Sequence, residues 1–121
     1  MSTDPRHRLG RIGERLAAEH LERLGYEIVA RNHRTRYGEI DLVAADARTL
    51  VIVEVKTRRG RGSPWDALDE RKRRQVRRMG FAYLSDVSDR PRPAHVRFDA
   101  IGITVDAAGR LARLDHLEGA F

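Results

Sequence analysis

Apolar residues near the start of the chain recur at intervals of three and four, the spacing of one face of a helix. The pattern covers residues 9–24 and stops before Gly25, whose lack of a side chain suits a helix end. We therefore predict a first helix over residues 9–24 and a flexible tail over residues 1–8. The predicted apolar face contains Leu9, Ile12, Gly13, Leu16, Ala17, Leu21 and Leu24.

Alternating apolar and polar positions predict three strands after this helix, over residues 26–34, 39–45 and 50–57. Ser63 followed by Pro64 is typical of a helix start, and a second helix is predicted from there to about residue 84. A strand over residues 96–105 and a short last strand follow. The order αβββαβ(β) predicts a single α/β domain over residues 9–121, with a mixed central sheet flanked by helices.

The second and third predicted strands form a hairpin whose register follows from its apolar pattern. If residues 46–49 form the loop, Ala45 lies opposite Leu50. One face of the hairpin then holds only apolar residues: Ile40, Leu42, Ala44, Val51, Val53 and Val55. The other face holds Glu39, Asp41, Val43, Ile52, Glu54 and Lys56, with Asp41 across from Glu54 and Glu39 across from Lys56.

Two carboxylates that face each other across a hairpin, with Cβ atoms about 4.5–5.5 Å apart, repel unless a cation lies between them. Mg²⁺ and Mn²⁺ prefer such oxygen ligands. Lys56 would place an amine on the same face, about 6.5 Å along the strand from Glu54. These are the groups that metal-assisted hydrolysis of a phosphodiester requires. The alternative is an exposed face of alternating charges, on which Glu39 and Lys56 form an ordinary ion pair.

The composition excludes several classes of protein. The 121 residues include no cysteine, which excludes disulfides, thiolate zinc sites and a cysteine nucleophile, and which suits the reducing cytoplasm. No apolar run approaches the roughly 18 residues of a membrane span, and the first ten residues lack the apolar core of a secretory signal. We therefore expect a cytoplasmic protein that does not bind membranes.

The net charge of +6 is concentrated in one segment of the chain. Residues 56–78 contain ten basic and three acidic residues, so the remainder is slightly acidic. A concentrated positive block favours a polyanionic partner, and DNA bound through its phosphates fits best. The candidate nucleic-acid-binding residues are Arg58, Arg59, Arg61, Lys72, Arg73, Arg74, Arg77 and Arg78.

Lysine is rare in this chain: of the 24 basic residues, only Lys56 and Lys72 are not arginine. Lysine offers a compact point charge that suits a position beside a reacting phosphate or water. Lys72 also occupies a slot in the apolar stripe of the second predicted helix. Its side chain either extends past that stripe to solvent or points into a cleft, where it would lie near phosphate.

Several motifs resemble those of a nuclease superfamily. Asp41, followed by Glu54-Val55-Lys56 on the next strand, is similar to the core of the PD-(D/E)XK nucleases. Over nearly the whole chain the pattern resembles the YraN-like proteins, the uncharacterised family UPF0102. The matching segments are Gly10-Arg-Ile-Gly-Glu14-Arg-Leu-Ala, Gly25-Tyr26, Arg31-Asn32, Gly38-Glu-Ile-Asp41-Leu-Val-Ala, Val53-Glu-Val-Lys56-Thr-Arg58, Arg97-Phe-Asp99 and Ala120-Phe121.

This resemblance implies a restriction-endonuclease-like fold, similar to that of archaeal Holliday-junction resolvases, which are dimeric, metal-dependent and structure-selective. It implies that Asp41, Glu54 and the backbone carbonyl of Val55 bind Mg²⁺ or Mn²⁺ and that Lys56 is the catalytic lysine. Glu14, on the first helix, would complete the metal site as a further ligand or by holding a water.

Glu39 is expected to support Lys56. Two other residues depart from the pattern of the superfamily. Ile40 precedes Asp41 at the position where the superfamily name has proline. Gln75 is followed four residues later by Met79, so the Gln-x-x-x-Tyr motif of some relatives is missing.

Three functions are consistent with these features. The first is a metal-dependent endonuclease with little sequence specificity that acts on branched, flapped or single-stranded DNA, as a homodimer by analogy with resolvases. The second is a non-catalytic nucleic-acid-binding module, and the third is an adaptor that binds a protein through its basic helix. Asp41, Glu54 and Lys56 favour the first, because a binding module has no need of paired carboxylates facing phosphate.

Overall fold

Residues 4–121 form two helices and five strands, with one short 3₁₀ turn. The computed structural model describes residues 4–121, apart from the side chains of residues 66 and 67. In chain order the elements are α1 (Pro5–Arg23), β1 (Glu27–Thr35), β2 (Gly38–Ala45), β3 (Thr49–Arg59), the 3₁₀ turn (Pro64–Ala67), α2 (Glu70–Asp86), β4 (His95–Val105) and β5 (Leu111–Leu117).

The strands form one sheet in the order β1-β2-β3-β4-β5, in which β3 and β4 are parallel and the other neighbours are antiparallel. Helix α2 lies between the two parallel strands in the chain, as such a crossover requires. Helix α1 packs on one face of the sheet and α2 on the other. The predicted α/β architecture, a mixed sheet flanked by helices, is confirmed.

Helix α1 begins four residues earlier than the sequence pattern predicts. The side chain of Asp4 caps it by accepting a hydrogen bond of 2.9 Å from the backbone N–H of Arg6, and Pro5 occupies the first turn. The prediction of a tail is therefore wrong for residues 5–8, while residues 1–3 lie outside the described part of the chain. At the other end, Leu24 is 55% exposed and does not join the predicted apolar face.

The second predicted helix is divided in two. Ser63 caps the 3₁₀ turn through a 3.1 Å hydrogen bond from Trp65 N–H, but helical geometry ends at Leu68. Asp69 then caps α2 by accepting a hydrogen bond of 2.9 Å from Lys72 N–H. A second capping residue six positions after the first explains the break, because each cap favours a helix start of its own.

The hairpin of β2 and β3 has the predicted register in its buried half. Ala45 pairs with Leu50, and the ladder continues to Leu42 opposite Val53. Leu42 and Val53 belong to the apolar cluster under α1. Ile40 was predicted on that face, but it packs in the cluster under α2. The predicted alternation therefore breaks between Ile40 and Leu42, at Asp41.

A buried polar network joins the last two strands to α1. Asp99, fully buried on β4, accepts hydrogen bonds of 2.8 and 2.9 Å from Arg97 and one of 2.7 Å from His116. His116 is in turn 3.0 Å from His20 of α1. Burial raises the pKa of Asp99, but the hydrogen bonds from His116 and Arg97 outweigh it and lower the pKa. The Arg97-Phe98-Asp99 motif thus has a structural role.

Helix α1 lies very close to β3 at Gly13. A Cβ atom built on Gly13 would be only 1.7 Å from Oγ1 of Thr57, so no larger residue fits without movement of the helix. Gly10, one turn earlier in the same helix, has no neighbour within 4 Å of such an atom. The pair provides a test of this packing, since both glycines are helical. Within residues 4–121, neither helix has the length and apolar content needed to span a bilayer.

Gly13→Ala should lower the free energy of unfolding by about 1–3 kcal/mol, the usual cost of overpacking. Gly10→Ala should raise it by about 0.5–1 kcal/mol, because alanine is the better helix former. Urea unfolding of both variants beside the parent measures the difference. If Gly13→Ala were as stable as Gly10→Ala, the close approach of α1 to β3 at Thr57 would be wrong.

Candidate active site

Strands β2 and β3 stop pairing at Asp41. The last paired residues on this side are Leu42 and Val53, and beyond them Oδ2 of Asp41 accepts a hydrogen bond of 2.7 Å from the backbone N–H of Val55. A side chain thus satisfies a backbone donor at the point where the ladder ends. The predicted facing pair of Asp41 and Glu54 is therefore not part of the ladder, although the two carboxylates remain close enough to interact.

Glu54 is the most buried charged group of this region, at 6% exposure. Its Oε1 lies 3.3 Å from Nζ of Lys72 and 3.9 Å from Nζ of Lys56. A buried carboxylate is costly unless cations compensate its charge, and both lysines of the chain do so here. The alternative of an exposed, alternately charged hairpin face is therefore wrong.

Asp41 holds its proton unusually tightly. Burial, followed by repulsion from Glu54 and then Glu14, raises its pKa to about 8, against the lowering effects of the Val55 N–H and of Lys72. If all three acids were ionised, they would carry more negative charge than their surroundings stabilise at neutral pH. A divalent cation would remove this repulsion.

Glu14 of α1 reaches the same region, as predicted. Asn32 of β1 donates hydrogen bonds of 3.1 and 3.2 Å to its two carboxylate oxygens. Burial raises the pKa of Glu14, Asn32 lowers it, and Glu39 and Glu54 raise it further, so the net pKa is raised. Asn32 has the unusual positive φ of 49°. The Arg31-Asn32 motif was visible in the sequence, but its contact with Glu14 depends on the packing of α1 against β1.

The carboxylate oxygens of this region are ligands that suit a hard cation, but they do not form a complete metal site. Glu54 raises the pKa of both Asp41 and Glu14, so the three acids are neighbours. Among residues 4–121, however, no three His, Cys, Asp or Glu side chains are grouped closely enough to hold a metal ion. The described acids thus offer at most a pair of carboxylates, Asp41 and Glu54, to one ion, and Asn32 holds Glu14 beside this pair.

Glu39 does not support Lys56. It lies opposite Arg34 in the ladder of β1 and β2, and its Oε2 is 3.9 Å from Nε of that arginine. The predicted pairing of Glu39 with Lys56 fails because the ladder of β2 and β3 ends before it reaches these residues. Lys56 is left with Glu54 as its ion-pair partner.

Lys72 points into the cleft rather than past the apolar stripe. Besides its ion pair with Glu54, its Nζ donates to Oε1 of Gln75 over 3.4 Å. Gln75 in turn donates through Nε2 to the carbonyl of Tyr37, in the turn between β1 and β2, over 2.9 Å. Gln75 was noted in the sequence only for a missing motif. Its bridging position could not be seen there, because Tyr37 is distant in the chain.

Two basic grooves each include a lysine that contacts Glu54. One, of about 540 Å³, is lined by Tyr37, Asp69, Arg71, Lys72, Arg74, Gln75 and Arg78. The other, of about 420 Å³, is lined by Leu9, Lys56, Thr57, Arg58, Arg59 and Pro64. Each groove thus contains one of the two lysines that contact Glu54. The sequence singled out Arg78 and Arg74 in the first groove and Arg58 and Arg59 in the second, but it missed Tyr37.

Three of the arginines predicted to bind DNA do not line these grooves. Arg73 and Arg77 lie on α2 and line neither groove, and Arg77 forms a 3.2 Å ion pair with Glu70. Arg61 is exposed in the loop after β3. Arg59 donates hydrogen bonds to the carbonyls of residues 106 and 107, which fix its guanidinium against the turn before β5.

Comparison with known proteins identifies the family. The model of "Uncharacterised protein family UPF0102" matches residues 13–103. A UPF0102 protein of Symbiobacterium thermophilum is 46% identical over 116 residues, which cover 94% of this chain and 96% of the relative. Those of Pelotomaculum thermopropionicum and Mycobacterium tuberculosis are 41% and 45% identical and cover 98% of this chain and 98% and 96% of the relatives. The chain therefore belongs to UPF0102, a family described as uncharacterised.

Proposed function

We propose that this protein is a metal-dependent endonuclease that hydrolyses phosphodiester bonds in DNA. The observation that carries the proposal is the buried Glu54, held between the only two lysines and next to Asp41, whose pKa is raised to about 8. Acids that repel one another, beside two amines that each line a basic groove, suit a cation and a phosphate better than any purely structural role.

Mg²⁺ or Mn²⁺ is the metal that these ligands would hold. Asp41 and Glu54 would supply carboxylate oxygens and Val55 a backbone carbonyl, while Glu14, held beside them by Asn32, would complete the site through a water. A bound ion would lower the pKa of a coordinated water and neutralise charge on the scissile phosphate.

The two lysines would act as fixed charges. Lys56 and Lys72 each form an ion pair with the carboxylate of Glu54. As a positive charge, Lys56 would orient the attacking water and stabilise negative charge that develops on the phosphate, and Lys72 would hold the phosphate from the other groove.

The basic grooves provide contacts to the DNA backbone. Their arginines match phosphates without reading base edges, so cleavage should depend on DNA structure more than on sequence. The same proposal includes a cytoplasmic location. It also includes a homodimer, which the analogy with resolvases favours. The second candidate, a non-catalytic nucleic-acid-binding module, has support in the grooves alone and leaves the buried acids unexplained.

Cleavage of labelled branched, flapped and linear DNA tests the proposal. The parent should cut with Mg²⁺ or Mn²⁺ and be inactive in EDTA. Asp41→Asn and Glu54→Gln should abolish cleavage and the uptake of Mn²⁺ measured by calorimetry, because each removes a ligand charge. Lys56→Ala should reduce the cleavage rate by about 10²–10³-fold while Mn²⁺ binding persists.

Glu19→Gln is the control, since Glu19 forms an ion pair with Arg15 on the surface of α1. It should cut like the parent. Activity that survives in all three site variants would indicate a contaminating nuclease and contradict the assignment. Tight DNA binding without cleavage under either metal would favour the binding module.

Lys72→Ala should slow cleavage far more than Arg73→Ala, although the two residues are adjacent and carry the same charge. With saturating protein, we expect a loss of about 10²–10³-fold for Lys72→Ala, since it removes the closer amine from Glu54. Arg73→Ala should mainly weaken binding and reduce the slope of log affinity against log salt by about one. Equal effects in single-turnover kinetics would assign Lys72 to general phosphate binding.

The raised pKa of Asp41 predicts a pH-dependent stability. In the folded protein this carboxyl keeps its proton up to about pH 8, whereas in the unfolded chain it loses the proton near its ordinary pKa of 3.8. Stability therefore falls as pH rises between these values. In EDTA above pH 8, Asp41→Asn should be more stable than the parent by at least about 1.4 kcal/mol, the free energy of one pKa unit. Asn keeps an oxygen that accepts from Val55.

Denaturant unfolding across pH measures this difference, which should disappear below about pH 4. Asp46→Asn is the control of opposite sign. Asp46 is exposed, and backbone hydrogen bonds from Arg48 and Thr49 lower its pKa, so the variant should gain no stability at high pH. A parent whose stability rises steadily from pH 4 to pH 8 would show that Asp41 is ionised without a metal.

A further inference from the structure

We propose that the groove between α2 and the turn joining β1 to β2 binds an unpaired stretch of DNA, with one base stacked on the ring of Tyr37. The proposal rests on the proposed function in one respect, that the partner is nucleic acid. It adds the part of the substrate that is recognised and a residue that recognises it.

Tyr37 is an exposed aromatic residue with two arginines over its ring. It is 41% exposed, and the guanidinium carbons of Arg36 and Arg78 lie 5.5 and 6.0 Å from the centre of its ring. Aromatic rings that carry bases in single-strand-binding proteins share these features, an exposed ring and nearby cations for the neighbouring phosphates, and a stacking base would displace a guanidinium from the ring onto a phosphate.

The position of this ring is fixed by the backbone of the turn. Gln75 of α2 donates to the carbonyl of Tyr37 over 2.9 Å. Gly38, with φ of 137°, lies so close to α2 that an added Cβ atom would be 2.8 Å from Gln75 and 2.9 Å from Met79. The turn therefore presents its ring from a defined place, which reduces the entropy lost on stacking.

The groove is continuous with the candidate active site. Lys72 lines the groove and contacts Glu54 over 3.3 Å. Gln75 links Lys72 to Tyr37 through two hydrogen bonds of 3.4 and 2.9 Å. A strand whose base stacks on Tyr37 would thus place its following phosphates toward Lys72 and the carboxylates.

The charges of the groove complement a phosphate backbone. Its lining contains four basic residues and one acidic residue, and the acid, Asp69, is engaged in capping α2. The basic residues are Arg71, Lys72, Arg74 and Arg78. This balance of charge favours a polyanion over a protein partner whose contact surface is apolar or basic.

A second aromatic residue extends the same surface. Phe81, one turn of α2 beyond Arg78, is 60% exposed and contacts Phe98 edge to face, with ring centres 5.6 Å apart. Together with Tyr37 and Arg78 it lines an adjoining depression of about 250 Å³. Because the faces of paired bases are covered within a duplex, these rings can engage only bases that are unstacked.

Fluorescence anisotropy in EDTA, with labelled oligothymidylate and a labelled duplex as probes, tests the proposal without any cleavage. Tyr37→Ala should weaken binding of oligothymidylate by about 5- to 150-fold, the effect of losing one stacked base. Binding of the duplex should be unchanged. Tyr37→Phe should bind oligothymidylate like the parent, since it keeps the ring and loses only the hydroxyl.

Leu117→Ala is the matched control, because Leu117 is an exposed apolar residue of β5 that lines no groove described here. It should leave both affinities unchanged. The Gln75–Tyr37 hydrogen bond uses a backbone carbonyl, so Tyr37→Ala should unfold at the parent's denaturant concentration. A probe with a single 2-aminopurine should lose fluorescence on binding to the parent and retain it with Tyr37→Ala.

The proposal is overturned if Tyr37→Ala binds oligothymidylate like the parent, or if it weakens duplex binding by the same factor. Failure of the nuclease assignment gives a different result, in which oligothymidylate binding depends on Tyr37 but no DNA is cut with either metal. Cleavage of single-stranded DNA at the parent's rate by Tyr37→Ala would leave the nuclease assignment intact and overturn the stacking site.

Discussion

The hydrogen bond from the N–H of Val55 to Asp41 determines the geometry of the whole site. Strands β2 and β3 pair regularly through their buried half, and this bond takes over where the pairing ends. A continuous ladder would have directed Asp41 to a face of the sheet. The separation of the strands instead gives it a place between them, beside Glu54 and within reach of Glu14. One side chain thus completes the backbone hydrogen bonding of the sheet and brings the acids together.

Charge balance explains the surroundings of these acids. Glu54 is buried, and two amines compensate it; Asp41 has the more distant cation and keeps a proton instead. The lysines come from different elements, β3 and α2, so the packing of α2 on the sheet helps to set the protonation of Asp41. Each of the two basic grooves is connected to this centre by one of the lysines.

Much of this arrangement could be predicted from periodicity and spacing, because the buried half of the hairpin follows its apolar pattern. The architecture, the register from Ala45 to Leu42 and the approach of Glu14 and Lys72 to the site agree with the structure. The errors lie where a local hydrogen bond replaces a regular one. Alternation cannot show that Asp41 ends the ladder, or that Asp69 starts α2 anew. The role of Tyr37 and the contact of Asn32 with Glu14 were missed because the partners are distant in the chain.

Strand β3 lies at the centre of the sheet, with a helix on each face. Glu54 and Lys56 therefore belong to the element with the most neighbours to disrupt, and substitutions there endanger folding as well as chemistry. The turn that carries Tyr37 has the opposite properties, since it is exposed and joins an edge strand to its neighbour. Substitutions in this turn can therefore change which ligand the protein binds, while the residues of the candidate active site stay the same.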